Sequence, residues 1–269
     1  MISKQLIKIA AAAGMALSFG GASAQLQDVG PTFGTTTFYG VNGGAATSTY
    51  APGRRMTYNG GSAFNAFCID PGTGTSLPSA YSTMSLDSFL DGTATSAYQQ
   101  QLTRSGYGTW PGLSTSAATQ LVVKNDLKEL FSYAYNDATT GTAASIATKA
   151  AAFGMAVWEI ILQDGSNGTT YAKGSGRLTS FGSTSAADSD AIEAQTNVYL
   201  NALNTGGWAG IGLGTATNWN YTVFFDTTNP FSQSFIRVTT PGVPEPGTAA
   251  LAALALLGAV RFSRRSTKV

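Results

Sequence analysis

The 269-residue chain holds one cysteine and no histidine, so the side chains able to do chemistry are few. Without imidazole there is no Ser-His-Asp or Cys-His relay and no histidine metal ligand. A single thiol makes neither an intramolecular disulfide, nor a cysteine zinc site, nor an iron–sulfur cluster. Cys68 stands in Ala66-Phe67-Cys68-Ile69-Asp70, at the end of an expected strand. Alternation sends Phe67 and Ile69 to one face and Cys68 to the other, so the thiol is buried only if both faces are covered. An inert, buried cysteine is the ordinary outcome; a reactive or intermolecularly paired thiol is the alternative for an odd cysteine in an exported chain. A two-carboxylate hydrolase acting on polysaccharide needs no histidine, and Asp70, Glu159 and Asp164 are its candidates. Glu159 lies in an apolar helical stretch, where a raised pKa suits a general acid; an exposed position, or an ion pair with Arg54 or Arg55, is the competing expectation. Asp137, Asp164 and Asp226 lack the spacing of a calcium loop. No metal, cofactor or catalytic residue is therefore assigned.

Far downstream of Cys68 comes Phe153-Gly154-Met155-Ala156-Val157-Trp158-Glu159. Together the two segments resemble the paired motifs of bacterial thioester domains, an aromatic-Cys-Ile-Asp/Glu strand and a Thr-Gln-x-Ala-Ile/Val-Trp helix. In that family the Cys and Gln side chains form an internal thioester that captures amines on partner surfaces. Cys68 matches the nucleophile, Asp70 the acidic position, and Ala156, Val157 and Trp158 the end of the helix motif. Gly154 occupies the glutamine's place and Phe153 the threonine's, and glycine has no carboxamide to give. Gln120 lacks the following Ala and Trp and is expected outside a helix. Gln163 lies about two and a half turns beyond Gly154, facing nearly the opposite way. The resemblance implies a fold and a surface-binding role more than it implies the covalent bond.

Both ends of the chain read as addresses. Lys4 and Lys8, an apolar run over residues 9–19, and Ala22-Ser23-Ala24 form a secretory signal peptide cleaved before Gln25. At the other end come Val243-Pro244-Glu245-Pro246, an apolar stretch over residues 247–262, and a tail carrying Arg261, Arg264, Arg265 and Lys268. The 16 apolar-stretch residues span about 24 Å as a helix, a little less than a hydrocarbon core of about 30 Å. Snorkelling arginines make up the difference, and the positive-inside rule keeps the tail cytoplasmic. These three parts resemble the PEP-CTERM sorting signal of Gram-negative bacteria, which an exosortase recognises. The resemblance implies anchoring in the inner membrane, processing near Pro244-Glu245-Pro246, and a surface or extracellular-matrix destination, often with exopolysaccharide.

Between the ends, residues 25–242 form one exported domain with nine Lys and Arg against thirteen Asp and Glu, a net charge of −4. That balance offers no basic patch to nucleic acid. Helical periodicity appears around Leu127, Leu130, Phe131 and Ala134, with Asn125 as a cap. It recurs from Ile146 to Ile161, and again from Asp190 and Glu193 through Val198, Tyr199, Ala202 and Leu203. Strands are expected at 35–41, 55–58, 63–69, 219–225 and 232–240, the last two as a hairpin, and loops at 40–48, 72–79 and 165–176. Strands, then about three helices, then strands predict an α+β fold with an antiparallel sheet. Trp110 and Trp208, in glycine-flanked loops, are the candidates for stacking on sugar, with loop anchoring as the alternative role. The expectation as a whole is a non-enzymatic surface, adhesion or biofilm-matrix protein.

Overall fold

The computed structural model describes residues 25–29, 37–41, 47–49, 53–71, 77, 79–104, 116–162, 178–183, 186–226 and 232–241. The signal peptide with Ala22 and Ala24, the sorting signal from Val243 to the basic tail, Trp110, Gln163 and Asp164 lie outside these residues.

Among the described residues there are ten strands and five α-helices. They are β1 (Gln25–Asp28), β2 (Thr37–Val41), β3 (Thr47–Thr49), β4 (Gly53–Tyr58), β5 (Phe64–Cys68), β6 (Ser79–Ala80), β7 (Ser82–Ser85), α1 (Leu86–Phe89), α2 (Ala97–Arg104), α3 (Ala117–Thr139), α4 (Ala143–Ile161), β8 (Leu178–Ser183), α5 (Ala186–Thr205), β9 (Asn220–Phe225) and β10 (Phe235–Thr239). A 3₁₀ turn, Gly207–Ile211, follows α5. Seven strands form one antiparallel sheet in the order β6-β1-β4-β5-β10-β9-β7, and β3-β2-β8 form a second. The fold is α+β with antiparallel pairing, and the expected β9–β10 hairpin is present.

One feature of the order sets the shape of the large sheet. Its two edge strands, β6 and β7, are consecutive in sequence and separated by a single residue, Tyr81. Adjacent Cα atoms are 3.8 Å apart, so the sheet must curl until its edges meet at that corner. Closing a sheet on itself removes exposed edges. Residues opposite one another across the ladders share a face: Leu26 with Tyr58, Met56 with Phe64, Cys68 with Phe235, and Phe235 with Phe224. That face is the inside of the curl, where Phe64 stacks on Phe224 and Tyr58 meets the same ring edge-on. In the β4–β5 connection Asn59 and Gly60 both take positive φ, and the Gly61 amide donates to the Tyr58 carbonyl at 3.0 Å, closing a tight turn.

The outer face, carrying Phe67, Ile236 and Val223, is covered by helices. Phe67 packs against Phe153 of α4 and Phe131 and Tyr135 of α3. Helix α4 is buried on every side from Ala150 to Ile161 and apolar there except for Glu159, as suits a helix at the centre of a core. It is long and apolar enough to cross a bilayer, yet sheet and helices enclose it. Asp137 of α3 joins the three long helices, accepting from Lys149 of α4 and Tyr199 of α5.

Several expected boundaries are displaced. Helix α3 begins at Ala117, capped by Ser116 rather than Asn125, and it contains Gln120. Helix α5 begins at Ala186 rather than near Asp190, and Val198 faces solvent while Ile192 and Thr196 turn inward. Among the described residues five helices stand where about three were expected, α1 being a single turn and α2 two turns. The stretch 40–48 is not all loop, since Gly40 and Val41 end β2, while Thr47 and Ser48 belong to β3.

Candidate functional site

The two chemistry-bearing segments of the sequence meet. Cys68 ends β5, and the indole N–H of Trp158, one turn beyond Gly154 on α4, donates to the Cys68 carbonyl at 2.9 Å. The Asp70 amide donates to Cys68 Sγ at 3.3 Å, curling the chain as it leaves the strand. Both faces of β5 are covered, one by helices and the other by the sheet's own curl, so Cys68 is buried, 3% exposed. Burial pushes its thiol far above the ordinary range, and the neighbouring Asp70 charge adds to the effect. The thiolate is the nucleophilic form, and this setting disfavours it.

Polar side chains surround the end of the strand. Asp70, Asp226, Ser232, Gln233 and Ser234 are all buried. Asp226 accepts from the Ser232 amide, and its carbonyl accepts from Arg104, whose guanidinium lies over Phe225. The Tyr81 hydroxyl donates to the Gln233 carbonyl at 2.7 Å, tying the corner of the curled sheet to the start of β10. Such bonds satisfy backbone groups where the ladder ends.

Sequence reasoning missed one carboxamide. Gln101 of α2 is buried, and its Nε2 donates to the Ile69 carbonyl at 2.6 Å. That carbonyl and the Asp70 amide belong to one trans peptide unit, whose C=O and N–H point opposite ways. Cys68 Sγ sits at one edge of the unit and the Gln101 carboxamide at the other, so the two do not meet as acyl donor and thiol. No local signal announced Gln101, because α2 is short and its partner is a backbone group 32 residues away. Gln120 serves structure: its Oε1 accepts from the Gly92 amide and its Nε2 donates to the Thr93 carbonyl.

The remaining candidates are distributed rather than gathered. Glu159 is buried on α4, not exposed, and Arg54 pairs instead with Asp28 at 2.7 Å. Among the described residues, no three Cys, Asp or Glu side chains converge to hold a metal ion. Trp208 is buried, stacked on Tyr133, with its indole N–H on Glu129 at 2.7 Å. It anchors a loop and offers no free ring to a sugar, contrary to its candidacy.

The open concavity lies elsewhere. A groove of about 460 Å³ is lined by Ser85, Asp87, Lys128, Ser132, Trp219 and Tyr221, among others. Trp219 and Tyr221 lie at the start of the strand expected over 219–225. Asp87 is held by Lys128 at 2.9 Å and Lys124 at 3.4 Å.

Comparison with protein-family models, with curated proteins and with solved structures found no match to this chain.

Proposed function

We propose that the chain is an exported protein, sorted by an exosortase to the cell surface or extracellular matrix, whose domain acts there by non-covalent binding and without catalysis. The observation that carries the non-covalent part is the setting of Cys68. The thiol is enclosed, its proton is held by burial, and glycine stands where a thioester partner would be. The destination rests on the C-terminal order of Pro244-Glu245-Pro246, apolar stretch and arginines. Before processing, residues 247–262 hold the protein in the inner membrane. At the other end, a chain cut before Gln25 would begin directly as β1, its amino group on the Asn59 side-chain oxygen, where the Gln25 nitrogen donates at 2.9 Å.

The test of sorting is replacement of Pro244, Glu245 and Pro246 by alanine in the native host. The expected result is loss of the surface and medium fractions, with the chain retained in the inner membrane. Unchanged distribution would contradict the proposal.

A covalent adhesin of thioester-domain type is the second reading. The observation that favours it is the Trp158–Cys68 hydrogen bond, which brings the two motif segments together. Thiol titration after denaturation separates the two readings. One free thiol per chain supports non-covalent binding, and none, with a thiol appearing after methylamine treatment, supports the thioester.

A further inference from the structure

We propose that the groove between the α1 end of β7, helix α3 and the start of β9 is a saccharide-binding site, with Trp219 and Tyr221 as its stacking floor and Asp87 and Lys128 as its polar rim. This deepens the matrix-binding reading and rests on it.

The segment entering β9 is pinned along α3. The Thr217 amide donates to the Ser132 carbonyl at 2.9 Å, the Trp219 indole N–H to the Phe131 carbonyl at 3.1 Å, and the Tyr221 hydroxyl to the Lys128 carbonyl at 3.1 Å. Both aromatic side chains thus turn their polar tips inward onto the helix. Both residues line the groove, and with their polar atoms engaged on the helix they have ring carbon to offer it. Trp219 also meets Tyr135 edge-on and Tyr221 meets Phe131 edge-on, which fixes both planes before any ligand arrives. Rigid rings bind at a low ordering cost.

The rim supplies the opposite chemistry. Asp87 is charged, because the hydrogen bond from Lys128 holds its carboxyl below the usual carboxylate range. Its side chain is 62% exposed, so it can accept from ligand hydroxyls without leaving the lysines. Ser85 and Ser132 add short hydroxyls. Strand β7 ends at Ser85, opposite Thr222. Beyond that point the β9 edge at Asn220 and Tyr221 has no strand on its outer side among the described residues. Two residues of edge are too few to recruit a peptide strand, but their backbone can meet hydroxyl groups.

A pyranose ring matches both halves, presenting a carbon-bound-hydrogen face and an equator of hydroxyls. A simple anion matches less well, because Asp87 already partners both lysines. A wholly apolar ligand would leave the rim unsatisfied. The volume, about 460 Å³, falls within the range of small-ligand sites, roughly 300–1,000 Å³.

The test is calorimetric titration of the full chain in detergent with three sugars: cellohexaose (neutral), chitohexaose (N-acetylated) and a mannuronate hexamer (acidic). At least one should bind. Trp219→Ala should weaken it by about tenfold or more. Trp219→Phe, which keeps a ring, should weaken it less. Because Trp219→Ala also removes the indole's hydrogen bond to the Phe131 carbonyl, Asp87→Ala is the companion variant. Its side chain lies on the exposed rim, so it should weaken binding several-fold while leaving the melting temperature unchanged. No binding by any of the three sugars at millimolar concentration would overturn the site, as would unchanged affinity in both alanine variants. Failure here would leave sorting intact, since alanine replacement at Pro244-Glu245-Pro246 reads a different part of the chain. A chain that bound sugar but stayed in the inner membrane with its tail would overturn sorting alone.

Discussion

Cys68 shows how a residue's setting decides its chemistry. Alone in the chain and flanked by motif-like neighbours, it draws attention as a nucleophile. Enclosed by a curled sheet and a helix layer, it holds its proton instead. The tyrosines Tyr81, Tyr98 and Tyr199 are shifted the same way, all by burial first. These shifts predict an alkaline weakness. Unfolded, the thiol loses its proton above its ordinary value of 9.0 and the phenols above 10.0. Folded, they keep theirs to higher pH. In that window the unfolded chain binds fewer protons, so stability present at neutral pH falls as pH rises. The urea midpoint should decline from about pH 9 upward, and Cys68→Ala should delay the onset toward about pH 10. A midpoint flat to pH 11 in the wild type would mean that the phenols are not enclosed. The residues of the thioester-like motif were legible in sequence, and so was the glycine that breaks it. Gln101 and the groove aromatics were not, because their roles depend on contacts across 32 and about 90 residues.

At the scale of elements, periodicity identified what packing enforces. The buried face of α3 repeats at the spacing the core requires, and β9 falls within the strand expected over 219–225. Element starts were misread because a cap is a local hydrogen bond. Ser116 and Thr142 each accept from the amide three residues on, and serine and threonine are too common here to stand out. Strands β6 and β7 were invisible, since four residues or fewer carry no pattern. Gln120 is where helix and loop are joined, and it makes a clear prediction. Gln120→Ala removes partners from the Gly92 amide and the Thr93 carbonyl, part-buried groups in the turn before α2. It should cost roughly 1–3 kcal/mol, measured by urea denaturation. A change under about 0.5 kcal/mol, the usual effect of a surface substitution, would mean that water replaces the amide without loss.

At the scale of the whole molecule, the domain and its two ends answer different questions. The domain closes one sheet on itself through a single residue, Tyr81, and places an aromatic groove beside the last edge strand. On the reading we propose, the ends would direct the domain outside the cell, where it would act by binding. The most direct test is the intact mass of the protein recovered from its native host. The account predicts a chain beginning at Gln25, ending near Pro244-Glu245-Pro246, and carrying no deficit of one ammonia at Cys68. A chain running through Val269 would contradict exosortase sorting. A deficit of one ammonia, with methylamine then adding to the chain and freeing the Cys68 thiol, would contradict the inert thiol and support the covalent-adhesin reading.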